Sequence, residues 1–291
     1  MNMERLLLTG WSGFIGSHLA DLVSQDNNYQ LRQFQGDIRS REDIVRNLRD
    51  IDTVVHLAAL TYLPPSWDSL NNYMEVNYCG TLNLLENHKK FTKFVYISSC
   101  YVYGNQPTFP ITIDSKPLPD DPYSVAKLAA EQAVKLFSEK YRFDSLIIRP
   151  FNNFGPRQSR HYVIPTMILE AVKRNSVTIR VNTEREFIYV KDNVRAIKGF
   201  IDNDISGLVQ VCKGETYFIT DIGKMILRTL QLDESFVEVI PTDRPFHIQK
   251  LHGSPKSLLK ALPGFRFTPM KDAISDTVQY YRNGSGSPGR G

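Results

Sequence analysis

The chain has 291 residues, with 35 Lys+Arg against 31 Asp+Glu, a formal net charge of +4. That balance excludes a dedicated nucleic-acid coat protein, and 42% hydrophobic with 23% charged residues excludes a disordered chain. Three cysteines, Cys79, Cys100 and Cys212, are too few for a disulfide framework and lack zinc-ligand spacing, so no metal site is expected and a reducing compartment fits.

In chain order, residues 5–9 (RLLLT) form an apolar run without alternation, as expected of a strand buried on both faces. Residues 14–24 follow with helical periodicity, 29–34 read as a weaker strand, and 40–48 as a charged helix with Ser40 as N-cap. Residues 53–57 (TVVHL) are a buried strand, 70–88 a helix and 93–98 a strand. A long helix, 122–141, opens on Pro122, where the missing N–H costs nothing, and 145–149 is one more strand. This alternation predicts an α/β fold, a doubly wound parallel sheet with helices on both faces.

The pattern loosens after Phe151: 152–159 read as a loop, and 221–232 and 271–281 as helices. The expected division is a dinucleotide-binding domain over 1–150 and a small mixed α/β substrate domain over 151–282 with some return to the sheet. Residues 283–291 (NGSGSPGRG) read as a flexible tail. Nothing approaches the roughly 18 apolar residues of a membrane helix, and Leu6-Leu7-Leu8 runs into Thr9-Gly10 rather than a signal-peptide core. The expectation is a cytoplasmic protein without membrane or nucleic-acid partners.

Gly10, Gly13 and Gly16 stand three apart between the first strand and the first helix. Gly10 permits the turn, Gly13 lets the backbone approach a pyrophosphate, and Gly16 lets the helix pack closely, with free N–H groups at the helix N-terminus. Strand before and helix after are the context that a dinucleotide site requires. Tyr123 and Lys127 lie four apart on a predicted helix and so share a face. A phenol with a pKa of about 10 is a poor acid–base group until a neighbouring ammonium favours the phenolate. Alone, such a pair is ordinary; beside the glycine turn it reads as catalytic.

Thr9-Gly10-Trp11-Ser12-Gly13-Phe14-Ile15-Gly16, Gly36-Asp37-Ile38, His56-Leu57-Ala58-Ala59, Val76-Asn77-Tyr78-Cys79-Gly80-Thr81, Ser98-Ser99 through Val102-Tyr103-Gly104, Pro122-Tyr123-Ser124-Val125-Ala126-Lys127, Arg149-Pro150-Phe151-Asn152 and Arg185-Glu186-Phe187 occur in one order over about residues 4–282. Together they resemble the extended short-chain dehydrogenase/reductases, the NAD-dependent epimerase/dehydratase family, whose members carry a Rossmann-type fold and modify nucleotide sugars.

The resemblance implies NAD or NADP as cofactor and a nucleotide-diphosphate sugar as substrate. It makes Ser99, Tyr123 and Lys127 catalytic. Around the cofactor it implies Gly10, Trp11, Ser12, Gly13, Phe14, Ile15, Gly16, Asp37, Ile38, Leu57, Ala58, Ala59, Asn77 and Pro150, with Tyr123 and Lys127. On the substrate side it implies Thr61, Ser99, Asn152, Arg157 and Arg185, the last as the diphosphate ligand through its guanidinium fork. Asn77 in the family supports the active-site backbone or a water. Trp11 is expected to cover the glycine turn, His56 to be a buried bonded residue and Cys100 to be structural.

The family's dehydratases carry an Asp-Glu pair just after the catalytic hydroxyl; here Cys100 and Tyr101 stand there, which disfavours dehydration. No acid ends the second strand to hold a ribose 2′-hydroxyl; Arg32 is present instead and leans toward NADP. The compact link after that strand resembles nucleotide-sugar ketoreductases. Residues 252–256 (HGSPK) and 60–64 (LTYLP) resemble GDP-4-keto-6-deoxymannose reductases, whereas 155–158 (GPRQ) is epimerase-like. A 4-keto-6-deoxy-sugar reductase is favoured over a 4-epimerase. A non-enzymatic NAD(P)-binding sensor or scaffold is disfavoured, because such proteins commonly lack the Tyr or the Lys. The apolar excess on helix 122–141 and the family's pairing of this helix with helix 70–88 predict a homodimer.

Overall fold

The structure, a computed structural model, describes residues 3–180, 182–240 and 250–284. Of the tail read as flexible, 285–291 lie outside the described residues.

The first half runs β1 (Glu4–Thr9), α1 (Phe14–Ser24), β2 (Tyr29–Gln33), α2 (Arg41–Asn47), β3 (Thr53–His56), α3 (Leu70–Met74), α4 (Gly80–Leu85), β4 (Lys93–Ile97), α5 (Pro122–Tyr141) and β5 (Asp144–Pro150). The second half runs β6 (Asn152–Phe154), α6 (Val163–Arg174), β7 (Val177–Ile179), β8 (Glu184–Tyr189), α7 (Val190–Asp202), β9 (Gly207–Val211), β10 (Thr216–Phe218), α8 (Ile219–Thr229), β11 (Val237–Val239), β12 (Lys250–Leu251), α9 (Lys256–Ala261) and α10 (Met270–Arg282).

Six parallel strands form the main sheet in the order β2-β1-β3-β4-β5-β9. The uninterrupted apolar run of β1 has its physical reason here. Leu6 and Leu8 pack on one face with Leu19 of α1 and Ile197 of α7. Leu7 packs on the other with Ile44 of α2, Leu84 of α4 and Val134 of α5. Both faces are covered, so alternation is lost. The chain passes from β1 to β2 on one side and then crosses to β3 on the other. The crevice beyond the ends of β1 and β3 is therefore the topological switch point.

A second core gathers Ile164 and Ile168 of α6, Phe187 and Tyr189 of β8, Ile222 and Ile226 of α8, and Ile274 and Val278 of α10. It carries a small sheet, β10-β8-β12, with β6 paired to β8.

Several local expectations change. The helix expected over 70–88 is α3 and α4 joined by a π turn, Glu75–Cys79. The loop expected over 152–159 begins as a strand, β6, because β8 offers it a partner. Sequence reading passed over α6, and over α7 although Val190, Val194, Ile197 and Ile201 recur at helical spacing. The expected return to the sheet is made by β9, beside β5, a strand that the sequence reading did not locate.

Candidate active site

The glycine turn closes tightly on the sheet. Gly10 has φ +66°, and a Cβ there would lie 2.6 Å from Ala58 N; one on Gly16 would lie 2.0 Å from Gly10 O. Gly13 is the N-cap of α1 and lends no side chain to its first turn. Ser12 and Gly13 are exposed, so the first amides of α1 open on the crevice. Trp11 donates its indole N–H to Phe34 O at 3.0 Å and is pinned over the end of β2. Phe14 and Ile15 turn their side chains into the cores, leaving their backbone to the turn.

A buried relay ties the ends of β1 and β3 to the π turn. The Thr9 hydroxyl accepts from Leu57 N and Ala58 N at 3.2 and 3.1 Å, and so donates to His56 Nδ1 at 2.7 Å. His56 Nε2 then donates to the Thr81 hydroxyl at 3.0 Å, which donates to Asn77 O at 2.8 Å. Burial pulls His56 down to about 3, so the ring is neutral, as this relay requires. The Asn77 side chain accepts from Leu60 N at 2.8 Å and donates to Leu60 O at 3.0 Å. Asn77, grouped with the cofactor ligands from sequence, is spent on this backbone and sets the course of Leu57, Ala58, Ala59 and Leu60 out of β3.

A capping box fixes the first turn of α5: Asp121 Oδ1 accepts from Ser124 N at 2.8 Å, and Asp121 N donates to the Ser124 hydroxyl at 3.2 Å. That turn carries Tyr123, which is buried and bonded to the Ser99 hydroxyl. Ser99 also accepts from Tyr101 N at 3.2 Å. Burial pushes the Tyr123 phenol above its ordinary value, with the Ser99 bond opposing, so it stands protonated. One turn on, Lys127 donates to Ile97 O at 2.5 Å and lies 4.3 Å from the centre of the Tyr96 ring. Burial pulls its ammonium down to about 7 against the attraction of Glu131.

Another turn on, Glu131 meets Arg149 in a bidentate pair, 2.8 and 2.6 Å, with side-chain exposures of 0% and 2%. Arg149 also stacks over the Tyr103 ring at 4.7 Å. The residues at 123, 127 and 131 thus line one face of α5. Pro150 is buried at the end of β5.

On the other side of the cleft Arg185 lies against Tyr101 and Cys100, and desolvation pulls its guanidinium below the ordinary arginine value. Tyr162, missed from sequence, faces Tyr123 and bonds Thr61 at 3.1 Å between hydroxyls. Its signal was weak, a Tyr within a loop. Burial pushes the Cys100 thiol up, which removes it as a nucleophile.

Other expected ligands have different partners. Arg32 donates to Asn47 O at 3.1 Å and to Arg49 O. In this arrangement it secures the end of α2. Arg157 pairs with Asp21 of α1 at 2.7 Å, beside Lys191 and Asp276, rather than facing Tyr123. Asn152 donates to Glu186 O at 2.9 Å and fastens β6 to β8. Asp37 is paired with Arg39 at 2.6 Å at the crevice edge, where Ile38 is buried under Gly80.

An uncapped helix start behind glycines that admit no Cβ, with a Tyr–Lys pair nearby, fits a dinucleotide. The model of the NAD dependent epimerase/dehydratase family matches residues 6–212. The chain belongs to that family. It is 30% identical over 272 residues to GDP-6-deoxy-D-mannose reductase of Pseudomonas aeruginosa, covering 86% of this chain and 88% of that protein. The solved structure of RMD from Pseudomonas aeruginosa complexed with NADPH superposes with a TM-score of 0.89 at 26% identity, covering 97% and 99% of the two chains. UDP-N-acetylglucosamine 4-epimerase from Methanobrevibacter ruminantium, in complex with UDP-N-acetylmuramic acid, does so at 0.89 and 27% identity, covering 98% and 100%. Dehydratases also stand among the relatives. The protein is therefore an NAD(P)-dependent enzyme of this family. Among the described residues no helix is long and apolar enough to cross a membrane.

Proposed function

We propose that the enzyme acts on a nucleotide-diphosphate sugar and reduces the 4-keto group of a 6-deoxyhexose. The observation that carries this reading is the protonated Tyr123 bonded to Ser99, with a thiol and a phenol, Cys100 and Tyr101, where elimination of water calls for two carboxylates. A proton donor held ready suits reduction of a ketone. Similarity to a GDP-6-deoxy-D-mannose reductase and to a structure complexed with NADPH supports it.

The glycine turn and the N-terminus of α1 would hold the pyrophosphate of either NAD or NADP, and Lys127 the ribose hydroxyls nearest the reaction. A reduced nicotinamide held there would supply the hydride that C4 of the sugar takes up. Tyr123 gives its proton to the ketone oxygen, leaving an alcohol and a phenolate. Ser99 bonds the same oxygen and stabilises the charge that develops on it. The Lys127 ammonium stabilises the phenolate until it is reprotonated. Arg185 holds the diphosphate.

Incubation with NADPH or NADH and a panel of UDP-, dTDP- and GDP-linked 4-keto-6-deoxy sugars should consume the reduced cofactor with one substrate. Interconversion of two 4-hydroxy epimers without added reductant would instead establish the epimerase. We also propose a homodimer through α5, whose outer face exposes Val125, Leu136 and Tyr141. Light scattering at micromolar concentration should give twice the chain mass.

A further inference from the structure

β8 carries Arg185 and Glu186 side by side, and successive strand side chains point to opposite faces. Arg185 faces Tyr101 and Cys100. Glu186 is fully buried, 0% exposed. Its Oε1 accepts from the backbone N–H of Lys213 and from that of Gly214, the latter at 2.8 Å; its Oε2 accepts from Gly253 N at 2.7 Å.

These donors come from two distant segments. Lys213 and Gly214 follow β9, the edge strand of the main sheet. Gly253 follows β12, in a segment stitched to Ile111 by bonds of 2.7 and 2.8 Å. The segment is pressed home: a Cβ on Gly253 would meet the Phe151 ring at 2.5 Å and Cys212 Sγ at 2.8 Å. One carboxylate therefore fastens β8 to the edge of the main sheet, the same sheet that ends in Ser99 just beyond β4 and against which α5 packs. A buried carboxylate held by amide N–H groups is costly to keep without a task.

We propose that Glu186 is a positioning residue: by fastening β8 to the segments after β9 and β12, it sets Arg185 over the cleft and so sets the affinity for the substrate's diphosphate. This rests on the reading of Arg185 as the diphosphate ligand. Glu186→Gln keeps an oxygen for Lys213 and Gly214 but turns an NH₂ toward Gly253 N–H, donor against donor.

Protonation does the same. Burial lifts Glu186 to about 7, with the amides of Gly253, Gly214 and Lys213 pulling down and Glu215 pushing up. The titratable and charged groups around it are Lys213 and Glu215, paired with each other at 2.8 Å, the thiols of Cys212 and, toward the Arg185 side, Cys100, and His252, whose ring bonds Gly214 O at 3.3 Å. Arg185 is its neighbour on the strand. As pH falls through about 7, Oε2 gains a proton and the Gly253 bond is lost. Stability moves the other way. The folded value lies above the unfolded 4.5, so this group's contribution is greatest below that value and declines as pH rises toward 7.

The test is calorimetric titration of the enzyme with UDP-, dTDP- and GDP-hexoses. The diphosphates of these sugar nucleotides are diesters and do not titrate near neutrality. At pH 8, Glu186→Gln should weaken binding about tenfold, the loss of a bond to a charged group, with kcat and cofactor affinity nearly unchanged. The parent should weaken by a similar factor between pH 8 and pH 6, while Glu186→Gln stays flat and His252→Gln keeps the parent's slope. Glu186→Asp, still a carboxylate, should restore part of the affinity. Added to Arg185→Ala, Glu186→Gln should cost nothing further, because it acts through that guanidinium. If Arg185→Ala weakens binding but Glu186→Gln does not, or if the two losses add, the positioning role is wrong. If Arg185→Ala leaves binding intact, or if the parent binds none of these ligands, the reading of Arg185 fails and this proposal falls with it.

Discussion

Around Tyr123 each site residue is delivered by the element that contains it, whereas around Arg185 placement depends on segments far apart in the chain. On the first side, a capping box starts α5 and helical spacing then sets Tyr123, Lys127 and Glu131 on one face. The glycine turn is likewise written in eight consecutive residues. On the second side, β8 is held by β6, by the segment after β9 and by the segment after β12, each bonded to Glu186. Local determination makes the half around the glycine turn and α5 tolerant of change elsewhere. Distributed determination makes the half around β8 adjustable, which suits the proposed division into a cofactor side and a substrate side on one chemical core.

The sharpest way to break this comparison is Tyr123→Phe. It removes the proton donor and keeps the ring. If chemistry resides on α5, kcat falls by about 10²–10⁴, the usual range for general acid catalysis, with cofactor binding unchanged by fluorescence titration. Turnover like the parent's would remove Tyr123 from the mechanism.

Glu131→Gln tests whether the same helix is also anchored locally. Arg149 would be left buried beside an uncharged partner. Breaking a buried pair from one side costs about 3–5 kcal/mol, and retention of one amide oxygen places this variant near the lower end. Urea denaturation should show the loss as a lower midpoint with an unchanged slope.

The pH dependence of kcat/KM separates the two sides. Lys127, pulled down to about 7, is charged below that pH in the folded enzyme and loses its proton above it. Support of the phenolate is therefore present at low pH and lost as pH rises through 7, an alkaline limb of about tenfold per unit. Its stability contribution has the opposite slope: the folded value lies below the unfolded 10.5, so stability rises with pH between about 7 and 10.5. If Glu186 positions Arg185 as proposed, it supplies the acid limb, and Glu186→Gln should flatten that limb alone.

The contrast also decides what was legible in the sequence. The strands of the main sheet read as unbroken apolar runs because helices cover both faces, so β1, β3, β4 and β5 were visible. β8 opens on Glu184, Arg185 and Glu186, whose polar groups are satisfied by residues that no local pattern reveals. The strands β6, β7, β10 and β11 have three residues each, too short for a period of two to show. Asn77 was recognised by its motif, but the π turn that aims it at Leu60 follows from the relay through Thr9, His56 and Thr81. Arg32 and Arg157 take partners that the sequence did not show, for the same reason: an arginine's charge is readable, but its partner is set by tertiary structure.

Arg157→Ala carries the smallest expected effect and tests that last point. The epimerase-like segment 155–158 placed Arg157 with the substrate, but its guanidinium reaches Asp21 on α1 at 2.7 Å. Both side chains are substantially exposed, 42% and 55%, so solvent screens the pair and its loss is worth about 0–1 kcal/mol. The backbone at 157 has φ +68°, a left-handed conformation that Ala tolerates no better than Arg, so the substitution adds no relief. Affinity for a sugar nucleotide should stay within about twofold of the parent, a change below the 1.4 kcal/mol that corresponds to tenfold. Arg185→Ala, measured beside it, should lose far more. A loss at Arg157 as large as at Arg185 would mean that the cleft extends along α1 and that the substrate half is wider than β8 and the segments it holds.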